Sequence, residues 1–230
     1  MRSIMLLALT LASCATAPIQ KPGSELFPTP SAGISISDDT KLEKLVAEFS
    51  KVTGITAIAD PETRTLLQKS TTGLNRAVEV PAAEVYSFVE SVFVQNDLYL
   101  TVLHEREPRL FAIHGRGVSR ASREMPFVVA SNDLATFTQH PAVLITTILD
   151  LAHTDVRTLS NSMRTMFTDA NTQQMIPVGN SNSLILTGLG GTVVSIAKML
   201  QEADESAKRA EESGSRPAGT QPPAKDEKPK

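Results

Sequence analysis

The segment from residue 144 to residue 200 changes repeatedly between the period-two apolar pattern of a strand and the 3.6-residue periodicity of a helix. Its order is strand, helix, strand, strand, helix. Asp155 stands where it can cap the first of these helices, and Gly179 opens a tight turn between the second and third strands. The pattern predicts a small α+β unit in which helices cover one face of a sheet, with the connectivity of a KH-like topology.

A similar pattern occupies residues 34–114. A short strand at its start precedes a helix that residues 38–40 are placed to cap and that Gly54 ends. Pro81 suits the start of a second helix, and the last two strand-like segments form a hairpin around a charged loop. Residues 62–75 are polar and give no clear assignment. The predicted fold class is therefore α+β, with two small sheet-plus-helices units at residues 33–117 and 118–205, the latter including a linker.

Prolines and polar residues dominate both flanks of these units. Residues 14–32 hold four prolines among small and polar side chains, which predicts a semi-extended stalk. Residues 206–230 are mainly Lys, Glu, Pro, Gly and Ser, with almost nothing apolar to bury, so we expect a disordered C-terminal tail.

The first 13 residues have the form of a lipoprotein signal peptide. A positively charged start precedes an apolar run that is shorter than the ~20 residues needed to span a bilayer. The lipobox residues Leu11, Ala12 and Ser13 then lead to Cys14, whose thiol is the nucleophile that takes up a diacylglycerol. An ordinary secretory cleavage further on would leave Pro18 as the first mature residue, which fits the peptidase poorly. The alternative is a chance cysteine in a cleaved leader.

Cys14 is also the only cysteine, so the chain forms no intramolecular disulfide. If it is lipidated, the chain is tethered in the plane of a membrane. Ala15 lacks the acidic side chain that commonly retains lipoproteins in the inner membrane. We therefore expect the periplasmic face of the outer membrane.

Composition and motifs argue against several functional classes. A net charge of -3 and a pI near 5.8 give no field that would attract nucleic acid. The segment from Gly188 to Gly191 matches the Gly-x-x-Gly loop of KH domains, but it joins a strand to a helix, whereas that loop joins two helices. No catalytic constellation is evident, and we expect neither enzyme activity nor a cofactor. The histidines show no metal-ligand spacing; they are His104, His114, His140 and His153.

Arginines gather on the hairpin loop and the linker, at Arg106, Arg109, Arg116, Arg120 and Arg123. The first three are candidates for a docking patch that binds an acidic partner or an anionic lipid. Neighbouring glutamates partly offset their charge, and the alternative is an ordinary solvated loop.

Several segments carry a resemblance to a known family. In the second unit these are residues 151–156 and residues 176–188, with Asn182 placed before a strand. They resemble the repeated periplasmic N-domain of bacterial secretins. The first unit is similar to the secretins' first N-domain, through residues 44–54, 58–61 and 80–85. Residues 62–75 depart from the short connection of that domain, and the polar tail stands where secretins continue into a β-rich channel.

The resemblance implies a periplasmic ring-forming or docking module of a secretion or type IV pilus system. We therefore expect a lipid-anchored interaction or scaffold protein that acts by self-assembly or by docking on other envelope proteins. The open sheet edges of small α+β units suit such contacts. The alternative is a binding or sensor module whose first unit captures a peptide or protein by strand addition.

Overall fold

In a computed structural model of the chain, the described residues are 26–116, 125–163, 173–179 and 181–213. The predicted signal peptide, the lipid-attachment site, most of the linker and residues 214–230 of the predicted tail lie outside these ranges. Within them the predicted α+β class is confirmed.

The first unit contains three helices and five strands among the described residues. They are β1 (Ile34–Ile36), α1 (Leu42–Thr53), β2 (Thr56–Ala59), α2 (Pro61–Lys69), β3 (Val78–Val80), α3 (Val85–Gln95), β4 (Leu98–His104) and β5 (Leu110–Gly115). A 3₁₀ helix at Ala82–Glu84 leads into α3. β1 and β3 form a two-stranded antiparallel sheet. The other sheet has the order β2-β5-β4, with β2 parallel and β4 antiparallel to β5.

The second unit follows the predicted order and adds elements before it. They are β6 (Phe127–Val128), a 3₁₀ helix (Ser131–Gln139), β7 (Leu144–Asp150), α4 (Val156–Met163), β8 (Gln174–Pro177), β9 (Ser183–Leu189) and α5 (Gly190–Glu212). The strands form one sheet of order β6-β7-β9-β8, in which only the β6-β7 pair is parallel. The predicted strand, helix, strand, strand, helix order from β7 to α5 is confirmed.

Asp155 caps α4 as the sequence predicts. Its carboxylate accepts hydrogen bonds from the Arg157 N–H at 3.0 Å and from the Thr158 hydroxyl at 2.7 Å. The hydrogen bond from Thr158 and that from the Arg157 backbone hold the pKa of this exposed carboxyl below its ordinary value. Gly54 likewise ends α1 at a positive φ of 72°, a conformation that glycine adopts without strain.

The predicted side-chain cap of α1 within residues 38–40 is wrong. The helix begins at Leu42, and no side chain caps its first turn. Its start is fixed by backbone bonds to a distant segment: the Leu42 N–H donates to the Ser70 carbonyl at 3.0 Å, and the Thr72 N–H donates to the Thr40 carbonyl at 2.9 Å. Backbone pairing with a distant segment therefore takes the place of the expected side-chain cap at the start of α1.

Residues 62–75 gave no assignment from sequence, yet α2 occupies Pro61–Lys69. The Asp60 carboxylate accepts hydrogen bonds from the N–H groups of Glu62 and Thr63 at 3.0 and 2.9 Å. Proline at the first helical position has no N–H to satisfy there. The buried Thr63 hydroxyl also accepts a hydrogen bond from the Gly115 N–H at 3.1 Å, which ties α2 to the end of β5.

The two units share one continuous hydrophobic core. At the seam between them, the Leu100 N–H of β4 donates to the Ala142 carbonyl at 2.8 Å. Tyr99 packs against Leu144 and Leu189 in a small satellite cluster. The predicted units are therefore packed against each other as well as connected in sequence.

The last residues of the predicted stalk belong to the core. Leu26 and Phe27 are only 2% and 8% exposed, so the predicted stalk boundary at residue 32 is wrong. They are the large apolar side chains of that segment, and burying them outweighs the extended preference of the prolines around them. We call residues Leu26–Ser31 the strap.

The predicted start of the tail at residue 206 is also wrong, because α5 continues to Glu212. The Glu211 carboxylate lies 2.9 Å from Nδ1 of His153. About two turns earlier in the helix, Asp204 accepts hydrogen bonds from the N–H groups of Ala152 and His153. Partial burial acts to raise the pKa of Asp204, but these bonds outweigh it and lower the pKa. The helix is extended by its contacts with the loop after β7.

Candidate interaction surfaces

The β6-β7-β9-β8 sheet has one face covered by helices and isoleucine side chains exposed on the other. Ile148 of β7 is opposite Ile185 of β9, which is opposite Ile176 of β8. Ile148 is 55% exposed and Ile176 is 48% exposed, and Ile185 is half-buried between them. We call these three residues the isoleucine row. An aligned apolar row on an open sheet face is typical of a protein contact surface.

The apolar surface continues towards the β6 edge of the same sheet. Val128 is opposite Thr146, two residues before Ile148, so it lies on the same face as the isoleucine row. Val128 and Met125 are both strongly exposed. A cavity of about 540 Å³ lies beside Val128, and Phe127 and Phe137 contribute to its lining. The open face therefore combines a flat apolar row with an apolar hollow at its edge.

A second candidate surface lies beside β3 in the first unit. Among the described residues β3 pairs with β1 only, and a groove of about 580 Å³ is lined by residues of β3 and of α3. Val78, Phe88 and Val92 line the groove, and Glu79 and Glu84 give it an acidic rim. We call it the β3 groove. A strand paired on one side next to an apolar groove is suited to accept a further strand.

The structure does not bring the three candidate docking arginines together. Arg106 is exposed at the tip of the β4-β5 loop, whereas the Arg109 side chain is only 14% exposed and pairs with Glu107. Arg109 and Arg116 flank β5 at opposite ends, about 23 Å apart for seven residues of extended strand. Arg116 lies 4.0 Å from Asp97.

Sequence reasoning missed a buried acid at the seam. Glu90 of α3 is fully buried, and its Oε1 accepts a hydrogen bond from Nδ1 of His140 at 3.0 Å. Its Oε2 accepts from the Ala142 N–H, also at 3.0 Å. Burial raises the pKa of Glu90, and the hydrogen bonds from His140 and Ala142 oppose that rise. The signal was present in the sequence, since Glu90 follows Val89 on the apolar face of α3 and an acid there needs a partner.

The remaining histidines have structural partners. Nε2 of His114 lies 2.8 Å from the Thr101 hydroxyl in a buried position. Nδ1 of His104 lies 2.7 Å from the Arg106 carbonyl. Within residues 26–116, 125–163, 173–179 and 181–213, no three His, Cys, Asp or Glu side chains are grouped so that they could hold a metal ion.

The predicted lipid-attachment residue Cys14 and the lipobox residues Leu11, Ala12 and Ser13 lie outside the described ranges, as do Arg120 and Arg123. None of the helices in the described part of the chain has the length and apolarity required to cross a membrane.

The sequence matches no protein-family model and no curated protein. Similar solved structures come from type II secretion systems and from a secretin. One is a chain of the Klebsiella pneumoniae outer membrane complex of PulD, PulS and the PulC HR domain, with 16% identity over 74% of this chain and a TM-score of 0.49. This chain spans 26% of that one.

Two further structures are similar at lower scores. The GspC-GspD complex of enterotoxigenic Escherichia coli matches with 13% identity, over 76% of this chain and 99% of that one, at a TM-score of 0.26. The N-terminal domain of the secretin XcpQ from Pseudomonas aeruginosa matches with 14% identity, over 75% of this chain and 64% of that one, at a TM-score of 0.25. Secretin N-domains are also what the segments of the two units resemble in sequence. At TM-scores below 0.5, these similarities identify no partner and no activity for this chain.

Proposed function

We propose that this chain is a lipid-anchored interaction or scaffold protein on the periplasmic face of the bacterial outer membrane, serving a protein secretion or pilus apparatus. It acts by assembling with further copies of itself or by docking on envelope proteins of that apparatus. The isoleucine row carries the proposal, because it offers an aligned apolar surface on a rigid sheet. The resemblance of both units to secretin N-domains supplies the kind of apparatus.

The exposed part of the row suits a weak contact. Full burial of an isoleucine side chain stabilises by roughly 1.5–3 kcal/mol, so covering the exposed halves of Ile148 and Ile176 contributes about 1 kcal/mol each. Contacts of this strength do not hold free proteins together in dilute solution. They become effective when a tether holds the copies in one plane and raises their local concentration. A lipid at Cys14 would be such a tether.

Self-assembly is tested by cross-linking the full chain in its native membrane at native expression. We expect ladders of cross-linked copies, and we expect Ile148→Asp combined with Ile176→Asp to remove them. Ile58→Asp is the matched control, since Ile58 is similarly exposed at 44% but lies on β2 in the first unit. Only monomer in the unsubstituted chain, or equal loss in the control, contradicts assembly through the row.

Anchoring is tested separately. Labelled palmitate should enter the full chain and should fail to enter Cys14→Ala, and the lipidated protein should fractionate with outer membranes. Palmitate incorporation that survives Cys14→Ala contradicts lipid attachment at this residue.

A second candidate function is the capture of an extended peptide by strand addition to β3. The β3 groove favours it, because the strand is paired on one side and the groove offers apolar walls with an acidic rim. A random peptide library panned against the full chain should yield extended, basic peptides that slow amide exchange at residues 78–80. Phe88→Glu should abolish this protection, and Glu105→Gln on the exposed loop should not. Protection elsewhere but not at β3 contradicts strand addition.

A further inference from the structure

The strap crosses the seam between the two units, and its Phe27 ring touches both of them. From the first unit, Tyr86 and Phe111 make edge contacts with the Phe27 ring at centroid distances of 5.6 and 6.0 Å. From the second unit, Phe137 makes an edge contact at 5.7 Å, and the His140 ring stacks on Phe27 at 3.4 Å. One side chain of the strap thus fills the space where the units meet.

The strap is fastened unequally to the two units. The Tyr86 hydroxyl donates to the Pro28 carbonyl at 2.8 Å. The Ser31 N–H donates to the Val52 carbonyl at 2.7 Å, and the Ser31 hydroxyl donates to the same carbonyl at 3.1 Å. These hydrogen bonds all lead to the first unit. Towards the second unit, the Phe27 ring packs on Phe137 and His140.

The Phe27 ring also covers the polar contact that links the units. His140 lies between Phe27, on which it stacks, and Glu90, to which Nδ1 donates. Glu90 reaches across the seam from α3 and also accepts from the Ala142 N–H of the second unit. Since a hydrogen bond between buried groups weakens when water reaches it, the seam depends on the ring that seals it.

We propose that the strap is a releasable clip. While Phe27 is seated between the two units, the strap holds them together as one body. When a pull on the chain before Leu26 removes the strap, the two units separate at the seam. The pull would reach the strap directly, because Leu26 follows Cys14 by twelve residues, at most about 43 Å of extended chain. Lipid attachment at Cys14 belongs to the proposed function, and the clip itself does not require it.

Amide hydrogen exchange on the full chain tests the clip without force. The Leu100 and Ala142 amides report on the seam, because each donates across it. Phe27→Ala should speed their exchange at least about thirtyfold, since a large buried ring is lost, while central amides of β5 and β9 change less than about twofold. Tyr86→Phe keeps the ring and removes the hydrogen bond to Pro28, so it should speed the exchange of the two seam amides about fivefold.

Thr29→Ala is the matched control within the strap, because Thr29 is exposed, and it should leave the seam amides unchanged. Two results overturn the proposal. One is seam exchange that stays unchanged in both Phe27→Ala and Tyr86→Phe. The other is an equal rise at the seam and in β5 and β9, which would mean that the strap stabilises the whole fold and does not control the seam. Tyr86→Phe keeps the test open if Phe27→Ala fails to fold.

Release under tension is measured on unlipidated full chain held between the Cys14 thiol and the C-terminus in a single-molecule force experiment. We expect a short, reversible extension before either unit unfolds, and we expect Phe27→Ala to remove that step. Unfolding of a unit as the first event in the unsubstituted chain contradicts release. Because no lipid is present, this result is independent of whether Cys14 is acylated in the cell.

Discussion

Replacing Glu90 tests how the two units are held together. Glu90→Ala leaves Nδ1 of His140 and the N–H of Ala142 without their acceptor in a buried seam. Each unsatisfied donor costs about 1–3 kcal/mol, and the loss is partly offset because the carboxyl group no longer has to be buried. We expect a net loss of about 3–5 kcal/mol in the free energy of unfolding, the range seen when one partner of a buried pair is removed.

Glu90→Gln removes the charge and keeps one of the two acceptor oxygens. The amide oxygen can still accept one of the two hydrogen bonds, so the loss should be smaller, about 1–2 kcal/mol at neutral pH. The larger difference between Glu90→Gln and the unsubstituted chain should be in how the free energy of unfolding depends on pH. Burial raises the pKa of Glu90 above 4.5, so the native state holds a proton on this group at pH values where the unfolded chain does not.

The sign of the pH effect follows from that difference in proton binding. The contribution of Glu90 to stability is fully present below pH 4.5 and is lost as the pH rises through the raised pKa of the folded state. Titration of this one group changes the free energy of unfolding by at most about 1.4 kcal/mol per pH unit. Urea unfolding of the full chain between pH 4 and pH 9 should therefore show a flatter profile for Glu90→Gln than for the unsubstituted chain.

Glu105→Gln, on the exposed loop between β4 and β5, is the matched control and should keep the original profile. Two results would contradict a stabilising role of Glu90: a pH profile of Glu90→Gln parallel to that of the unsubstituted chain, or a loss of less than about 1 kcal/mol in the free energy of unfolding of Glu90→Ala. Either would mean that Glu90 makes no net contribution to holding the seam.

Two further substitutions test how the backbone is positioned. Asp60→Ala removes the cap of α2 and should lower the free energy of unfolding by about 1 kcal/mol, measured from the midpoint of urea unfolding. Asp39→Ala is the control. It should change the free energy of unfolding by less than about 0.5 kcal/mol, because no side chain caps α1. Gly190→Ala should cost about 1–3 kcal/mol in the same assay, because the added Cβ would lie 2.3 Å from the His140 carbonyl oxygen; a stability equal to that of the unsubstituted chain would contradict this close approach.

Local sequence signals predicted much of the fold. Asp155 followed by helical periodicity predicted α4, and Gly54 predicted the end of α1, because caps and periodicity act over a few residues. α2 was missed because residues 62–75 were judged by their polar composition, without regard to Asp60 and Pro61 just before them. The same two residues are an N-cap and a first-turn proline, which also predict the start of a helix.

Features that depend on distant partners could not be predicted from local pattern. Phe27 stands among prolines, and its burial depends on rings that lie 59 or more residues away along the chain. The separation of the candidate docking arginines could have been predicted: Arg109 and Arg116 flank a predicted strand and so had to lie at its two ends. The isoleucine row emerges only from the register of three strands, which pairs Ile148, Ile185 and Ile176.

Assembly through the isoleucine row is measured most directly by placing a photo-activated cross-linking amino acid at position 176 or 58 of the full chain in living cells. We expect illumination to join two copies when the probe is at position 176 and to join none when the probe is at position 58. Adding Ile148→Asp to the chain with the probe at position 176 should remove the product. No joined copies from position 176, or equal amounts from both positions, would contradict assembly through the row.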